Sequence, residues 1–239
     1  MRVDYARRSK IDVNHRYQDN KARGWPGWPS RMDEHKVIAA RLEELVQEYG
    51  GRGGRMLEIG CGSGELTLLV PPTGLFREIH ALDLSEVAIE WAREKAKERG
   101  LAIEFRVGNI VHLDGIADES FELVVACACI HWIIGDDRRD CLANVHRVLR
   151  PSGRLYVWTQ CRSAHMERDH SGEDVYFDPE SSLVIRHGMP YFHLKTPAEV
   201  LSEIGKAGLD VLHWELGPPP WDADPGDQGP LAVVAAKPA

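Results

Sequence analysis

The chain has 239 residues, 43% of them hydrophobic, and a formal net charge of −8. That length buries one substantial core, which fits a single decorated α/β domain; the acidic balance argues against a broad phosphate-binding surface, so nucleic acid is not expected as a main partner. No window reaches the roughly 18 apolar residues of a membrane span. "MRVDYARRSK" lacks a secretory signal, and five scattered cysteines (Cys61, Cys127, Cys129, Cys141, Cys161) without a CxxC pair read as reduced thiols of a soluble cytoplasmic protein.

In chain order, residues 1–32 are basic, rich in Tyr, Trp, Gly and Pro and without a clear period, and are expected to form an arm or cap laid over the domain of 33–239. "DEHKVIAARLEELVQEY" (33–49) places Val37, Ile38, Leu42, Leu45 and Val46 at helical spacing and ends in glycines. Beyond it strands are expected at 55–60, 78–83, 102–107, 121–127 and 153–159, and helices at 64–70, 85–99 and 137–149. This alternation predicts a parallel sheet covered on both faces. Residues 161–195 break the rhythm and read as a long polar insertion of the kind that carries function. "TPAEVLSEIGKAG" then predicts a capped helix, with Thr196 as N-cap, Pro197 at N1, Glu199 completing a capping box and Gly208 ending it. "LDVLHWELG" and "PLAVVAAKPA" read as two final strands joined by a Pro- and Gly-rich loop.

"MLEIGCGSGEL" (56–66) runs from an apolar strand into three closely spaced glycines. Such a turn presents unpaired backbone N–H groups and lets a nucleotide-like ligand approach closely. The spacing is Glu-x-Gly-x-Gly-x-Gly, with Gly64 one position early for the dinucleotide fingerprint G-x-G-x-x-G. Glu58 at the strand end suits a cation better than a pyrophosphate.

These residues resemble the first motif of the Rossmann-like S-adenosylmethionine (SAM)-dependent methyltransferases, and the rest of the chain continues the likeness. "IHALDLSEVAIEWAREKA" supplies Asp83 and Leu84, "IEFRVGNIVHLD" supplies Asn109 and Ile110, and "FELVVACACIHWI" and "VHRVLRPSGRLYVWT" resemble the later motifs. The resemblance implies a doubly wound, seven-stranded, mostly parallel sheet with its last strand antiparallel and helices on both faces. It implies SAM as cofactor, held by Glu58, Gly60, Cys61, Gly62, Asp83, Leu84, Asn109, Ile110 and Cys127. In that register Asp83 grips both ribose hydroxyls, which suits a bidentate carboxylate, while Leu84 flanks the adenine. Asn109 stands where the family usually has Asp, so its contact to the adenine amino group is expected to be weaker.

Methyl transfer from a sulfonium needs a nucleophile that is held, desolvated and, in some cases, deprotonated. His131, just past the fourth strand, is the leading general-base candidate, with packing or cofactor contact as the competing role. Tyr5, Tyr17, Trp25, Trp132 and His131 are the acceptor-binding candidates; aromatic faces also stabilise a cation. The insertion holds His165, Asp169, His170, His187 and His193, but their spacings match no metal motif, and no metal is expected. The favoured function is methylation at O, N or S of a small-molecule acceptor of secondary metabolism, by a monomer or homodimer. The alternatives are a protein or RNA methyltransferase and a non-catalytic SAM-binding protein.

Overall fold

The computed structural model describes residues 5–28, 32–71, 74–217 and 228–239, without side-chain detail at 5–9, 11, 32–34 and 169. The chain forms two compact units, Met1–Ile116 with Ser120–Val124 and Ala117–Glu119 with Val125–Ala239, called here the N-terminal and C-terminal units.

The N-terminal unit begins with two helices, α1 (Tyr5–Ala22) and α2 (Met32–Tyr49). In α2 the expected stripe of Ile38, Leu42, Leu45 and Val46 is buried, while Val37 is exposed. Residues 5–22, expected as part of an arm without a clear period, are helical. The buried side of α1 is short and partly polar, with Tyr17 and Asn20 buried and Val13 packed nearby, so hydrophobic periodicity was silent there. Strand β1 (Arg55–Ile59) is buried from Met56 onward, as expected of a strand covered on both faces. It pairs in parallel with β2 (Glu78–Asp83), which pairs in parallel with β3 (Glu104–Val107). Between β2 and β3, α3 (Glu86–Glu98) starts at Ser85, whose hydroxyl accepts from the Ala88 N–H.

One expected helix is absent: residues 64–70 make a glycine turn followed by a single 3-10 turn at Thr67–Leu69. Gly64 has φ +82° and cannot open a right-handed helix, and Pro71 follows before one can propagate.

Strand β4 (Phe121–Cys127) lies where expected. The C-terminal unit continues with α4 (Asp136–Val148), β5 (Leu149–Thr159) and the short α5 (Ala164–Asp169). The 161–195 segment then forms β6 (Val175–Asp178), β7 (Leu183–Arg186) and β8 (Met189–His193), a small antiparallel sheet in the order β6-β7-β8. Helix α6 (Pro197–Lys206) has the predicted Thr196–Glu199 capping box, and Gly208 follows it at φ +83°. Strands β9 (Asp210–Leu216) and β10 (Leu231–Ala236) are antiparallel to one another, and β10 is antiparallel to β5. The expected loop between them falls mostly at 218–227, outside the described residues.

The main sheet has seven strands in the order β3-β2-β1-β4-β5-β10-β9. The order reverses at β1, the arrangement that opens a ligand crevice at strand carboxyl ends. Among the described residues no helix is long and apolar enough to cross a membrane, and all five cysteines are buried and unbridged.

Candidate functional site

In the N-terminal unit the turn after β1 is held by backbone bonds. The N–H groups of Gly60 and Cys61 donate to the Leu82 carbonyl at 2.8 and 3.1 Å, and that of Gly64 to the Cys61 carbonyl at 2.9 Å. Gly60, Gly62 and Gly64 all have positive φ, of 70°, 55° and 82°. Only glycine adopts three such conformations at low cost. Their spacing therefore follows from the turn itself.

Asp83, at the end of β2, is oriented by that turn. Its Oδ2 accepts from the Gly62 N–H at 2.9 Å and its Oδ1 from the Ser85 N–H at 2.8 Å. Each oxygen keeps a further lone pair, so a doubly anchored carboxylate can still accept two hydroxyl hydrogens. Burial raises its pKa, and the backbone donors only partly offset that.

Glu58 is 2% exposed at the end of β1 and accepts from the Thr67 hydroxyl. Burial pushes its pKa up to about 8; the Thr67 bond opposes the shift, and the charges of Glu65 and Asp83 add to it. Glu65, with a side chain 6% exposed, accepts from the Ser63 hydroxyl and from the Trp28 N–H at 3.3 Å, and its Oε1 lies 3.6 Å from Lys95 Nζ. Three carboxyl groups thus gather around one glycine turn: Glu58 is held protonated by burial, Glu65 lies beside Lys95, and Asp83 is held by two backbone amides, so a cation arriving at the turn would favour ionisation of Glu58. Cys61 lies among them, its thiol pushed up first by burial and then by Asp83 and Glu58.

Tyr17 comes from α1, and its hydroxyl stands where a Cβ on Gly62 would be. Its ring packs against Trp28 and Trp91, with centroids 5.5 and 6.5 Å away. Trp25 instead lies out at 38% exposure, its ring under the Arg23 guanidinium. Tyr5 opens α1, and its side chain is outside the described residues. Leu84 and Ile110, just past the ends of β2 and β3, are half-buried. The Asn109 side-chain oxygen accepts from the Val111 N–H at 2.9 Å, a local turn that fixes its orientation. The structure therefore brings Glu58, Gly62, Asp83 and Tyr17 together. It adds Glu65, Thr67 and Lys95, which sequence reasoning missed; adjacency to Gly64 was the one available sign for Glu65, and nothing in the helical pattern of α3 marks Lys95.

In the C-terminal unit, buried Cys127 ends β4 and Ala128 follows at φ +52°. His131, 5% exposed, lies in a 3-10 turn at Ile130–Trp132 with Nδ1 3.3 Å from Thr159 Oγ1. Its ring meets Phe192 edge-on at 5.2 Å, and Trp132 meets Phe192 and Tyr191 at 4.5 and 4.9 Å. The 161–195 insertion thus supplies two aromatic rings from β8 that the sequence reading did not single out.

Arg138 fixes this cluster. It is 2% exposed, forks onto Glu203 through Nε and Nη2 at 3.0 and 2.8 Å, and donates through Nη1 to the carbonyls of Ile130 and His193 at 3.0 and 3.3 Å. His193 accepts from the Gly135 N–H at 3.3 Å; burial, with Arg138 and Lys195 beside it, lowers its pKa to about 4. The histidines of the insertion are placed separately: His170 Nδ1 lies 2.7 Å from the Met166 carbonyl, and exposed His187 faces Asp174. Among the described residues no three His, Cys, Asp or Glu side chains are grouped to hold a metal.

Residues 57–157 match the family model for a methyltransferase domain. The chain is 30% identical over 183 residues to a malonyl-[acyl-carrier protein] O-methyltransferase of Paenibacillus sp. (strain JDR-2), covering 72% of this chain and 64% of that protein. It is 32% identical over 138 residues to the O-methyltransferase rstn1 of Aspergillus nomiae, covering 54% and 57%. The chain thus spans less than two thirds of the length of these relatives. The solved structure of a Burkholderia thailandensis 1,6-didemethyltoxoflavin-N1-methyltransferase, with that compound and S-adenosylhomocysteine bound, superposes with a TM-score of 0.73. It covers 99% of this chain and 90% of the other at 20% identity, a likeness of fold.

Proposed function

We propose that this chain, whose residues 57–157 match the family model for a methyltransferase domain, is a class I SAM-dependent methyltransferase that moves the SAM methyl group to an oxygen, nitrogen or sulfur of a small molecule of the secondary-metabolite kind. The observation that carries this reading is the pairing of Asp83 with the Gly62 and Ser85 N–H groups. The donor chemistry fits the cofactor: buried carboxylates for an ammonium and a sulfonium, and a pre-oriented carboxylate for a ribose.

When bound, SAM supplies a methyl group already activated by its sulfonium. The residues of this chain then bind, orient and exclude water. Asp83 takes the ribose end, Glu58 and the glycine turn the amino-acid end, and Leu84, Asn109 and Ile110 the adenine. On the acceptor side we assign the ring cluster of His131, Trp132, Tyr191 and Phe192, which suits a flat or partly apolar acceptor. The hydroxyl of Thr159 can take the Nδ1–H of His131, leaving Nε2 in the tautomer that accepts a proton from an attacking hydroxyl or amine.

The O-methyltransferase relatives and the small molecule in the Burkholderia thailandensis structure support a small-molecule acceptor. The buried thiols favour a reducing compartment such as the cytoplasm. Calorimetry with S-adenosylhomocysteine tests the cofactor half of the reading, and no heat of binding retires it. Methyl-labelled SAM incubated with a metabolite extract tests the acceptor half: label in small molecules upholds it, and label confined to protein or RNA overturns it.

A further inference from the structure

Lys95 is a buried cation that cofactor chemistry alone does not call for. Its side chain is 13% exposed on α3, and its ammonium donates to the carbonyls of Pro26 and Ser63 and to Ser63 Oγ, at 2.8, 2.9 and 2.9 Å. It also sits 4.3 Å from the centre of the Trp91 ring. Its neighbour Glu65 reaches the same stretch of arm through the same Oε1 that lies 3.6 Å from Lys95 Nζ, accepting from the Trp28 N–H at 3.3 Å. Residues 26–28 are therefore gripped by a cation on the carbonyl of Pro26 and an anion on the amide of Trp28. Gly27 lies between, so close that a Cβ there would overlap the Glu65 carboxylate.

The same carboxylate lies against the glycine turn, since a Cβ on Gly62 would sit 3.1 Å from Glu65 Oε2 and would also overlap the Tyr17 hydroxyl. Further along, α1 is tied to α3 and its cap by Asn14 with Ser85 (2.6 Å), by Lys10 with Glu86 and by Lys21 with Glu94. Those last two ion pairs are largely exposed and contribute little. The half-buried Glu65–Lys95 pair is the stronger tie, because its two charges, 3.6 Å apart, are more shielded from water than those of the outer pairs and both hydrogen-bond the same stretch of arm.

We propose that Glu65 and Lys95 are positioning residues for the cofactor: together they clasp residues 26–28, and with them Tyr17, onto the glycine turn, so that cofactor exchange requires the clasp to open. The pair acts through the arm and need not touch the ligand. This inference rests on the cofactor reading above, and its test separates the two.

The variants are Glu65→Gln, Lys95→Met, their double, and Gly27→Ala, which crowds the clasp without changing any charge. Two readouts are taken on the full chain: the dissociation rate of S-adenosylhomocysteine by stopped flow, and limited trypsin cleavage after Arg23, mapped by mass spectrometry. Each single variant is expected to speed dissociation about tenfold, the loss of one charge-assisted hydrogen bond, and to speed cleavage after Arg23 similarly. The double variant should be no worse than the worse single, because both act through one contact. A purely structural role would instead leave the dissociation rate unchanged while lowering the melting temperature. That result, or unchanged cleavage in all four variants, overturns the clasp. Should the wild type fail to bind S-adenosylhomocysteine, the cofactor reading falls alone, and the cleavage arm still decides whether Glu65 and Lys95 hold the segment.

Discussion

In the proposed function the two units meet small molecules with different materials. The N-terminal unit offers backbone: three left-handed glycines, amide N–H groups on Asp83, and three carboxyl groups at a turn, of which Glu58 is buried and Asp83 and Glu65 are half-buried. The C-terminal unit offers rings, with His131, Trp132, Tyr191 and Phe192 stacked edge-on and held from behind by Arg138. Backbone geometry suits a ligand that never changes, since it is fixed by residues with few substitutes. A cluster of rings on a loop and a small sheet can be reshaped one side chain at a time, which suits the variable partner of a reaction.

The largest expected effect breaks the comparison on the ring side. Arg138→Met should cost about 3–5 kcal/mol of stability, because Glu203 and the carbonyls of Ile130 and His193 lose their donor. Urea unfolding gives the size. Hydrogen exchange should place the loosening at residues 130–135, with S-adenosylhomocysteine affinity kept at temperatures where the protein remains folded. An affinity that drops in step with stability would end the division of labour.

The units should also answer pH with opposite signs. In the folded state Glu58 holds its proton up to about pH 8, while an unfolded chain releases it near 4.5. Between those values the folded state binds more protons, so stability of the N-terminal unit falls as pH rises, by up to roughly 4 kcal/mol. His193 runs the other way: folded it takes a proton only near pH 4, unfolded near 6.5. The unfolded chain binds more protons across that window, so the C-terminal unit gains stability as pH rises through it. Exchange protection corrected for intrinsic rates, followed at β1 and at β8 from pH 4 to 8, reads both slopes. Glu58→Gln should flatten only the first.

What the sequence disclosed divides along the same line. Glycine spacing, Glu58 and Asp83 were legible because a tight turn demands particular residue types at fixed offsets. The capping box at Thr196 and Glu199 was legible for the same reason. Helix α1 was not, since its buried side pairs Tyr17 with polar Asn20 and docks by specific bonds instead of an apolar stripe. The helix expected at 64–70 is replaced by a turn because Gly64 takes a left-handed conformation, which the residue pattern does not reveal. Tyr191 and Phe192 were invisible as partners of Trp132, some sixty positions away, because only the β6-β7-β8 sheet brings them to it.

A smaller effect sharpens the backbone side. Asp83→Ala should weaken S-adenosylhomocysteine binding about a hundredfold, near 2.7 kcal/mol, by deleting a charged acceptor and unpairing the Gly62 and Ser85 amides. Asp83→Asn keeps the shape and one of the two backbone acceptors, its NH2 facing the other amide, and should cost about tenfold. Calorimetry distinguishes them, and equal losses would mean that charge does all the anchoring.

The smallest effect compares the two turns directly. Gly62 and Ala128 have nearly the same positive φ, 55° and 52°. At Gly62 a methyl group meets both a left-handed backbone and the Tyr17 hydroxyl, so Gly62→Ala should destabilise the protein and weaken the cofactor mimic together. At Ala128 the left-handed cost, about 1–2 kcal/mol for an L-residue, is already borne, and the Ala128 N–H donates to the Trp158 carbonyl at 2.7 Å. Ala128→Gly removes that strain and keeps the bond, but gives the unfolded chain more freedom, which takes back about 0.5–1 kcal/mol. A net gain of about 0.5–1 kcal/mol in urea unfolding is therefore expected. If the glycine variant is no more stable, the turn before His131 stores no strain, and the acceptor side is held by Arg138 and ring packing alone.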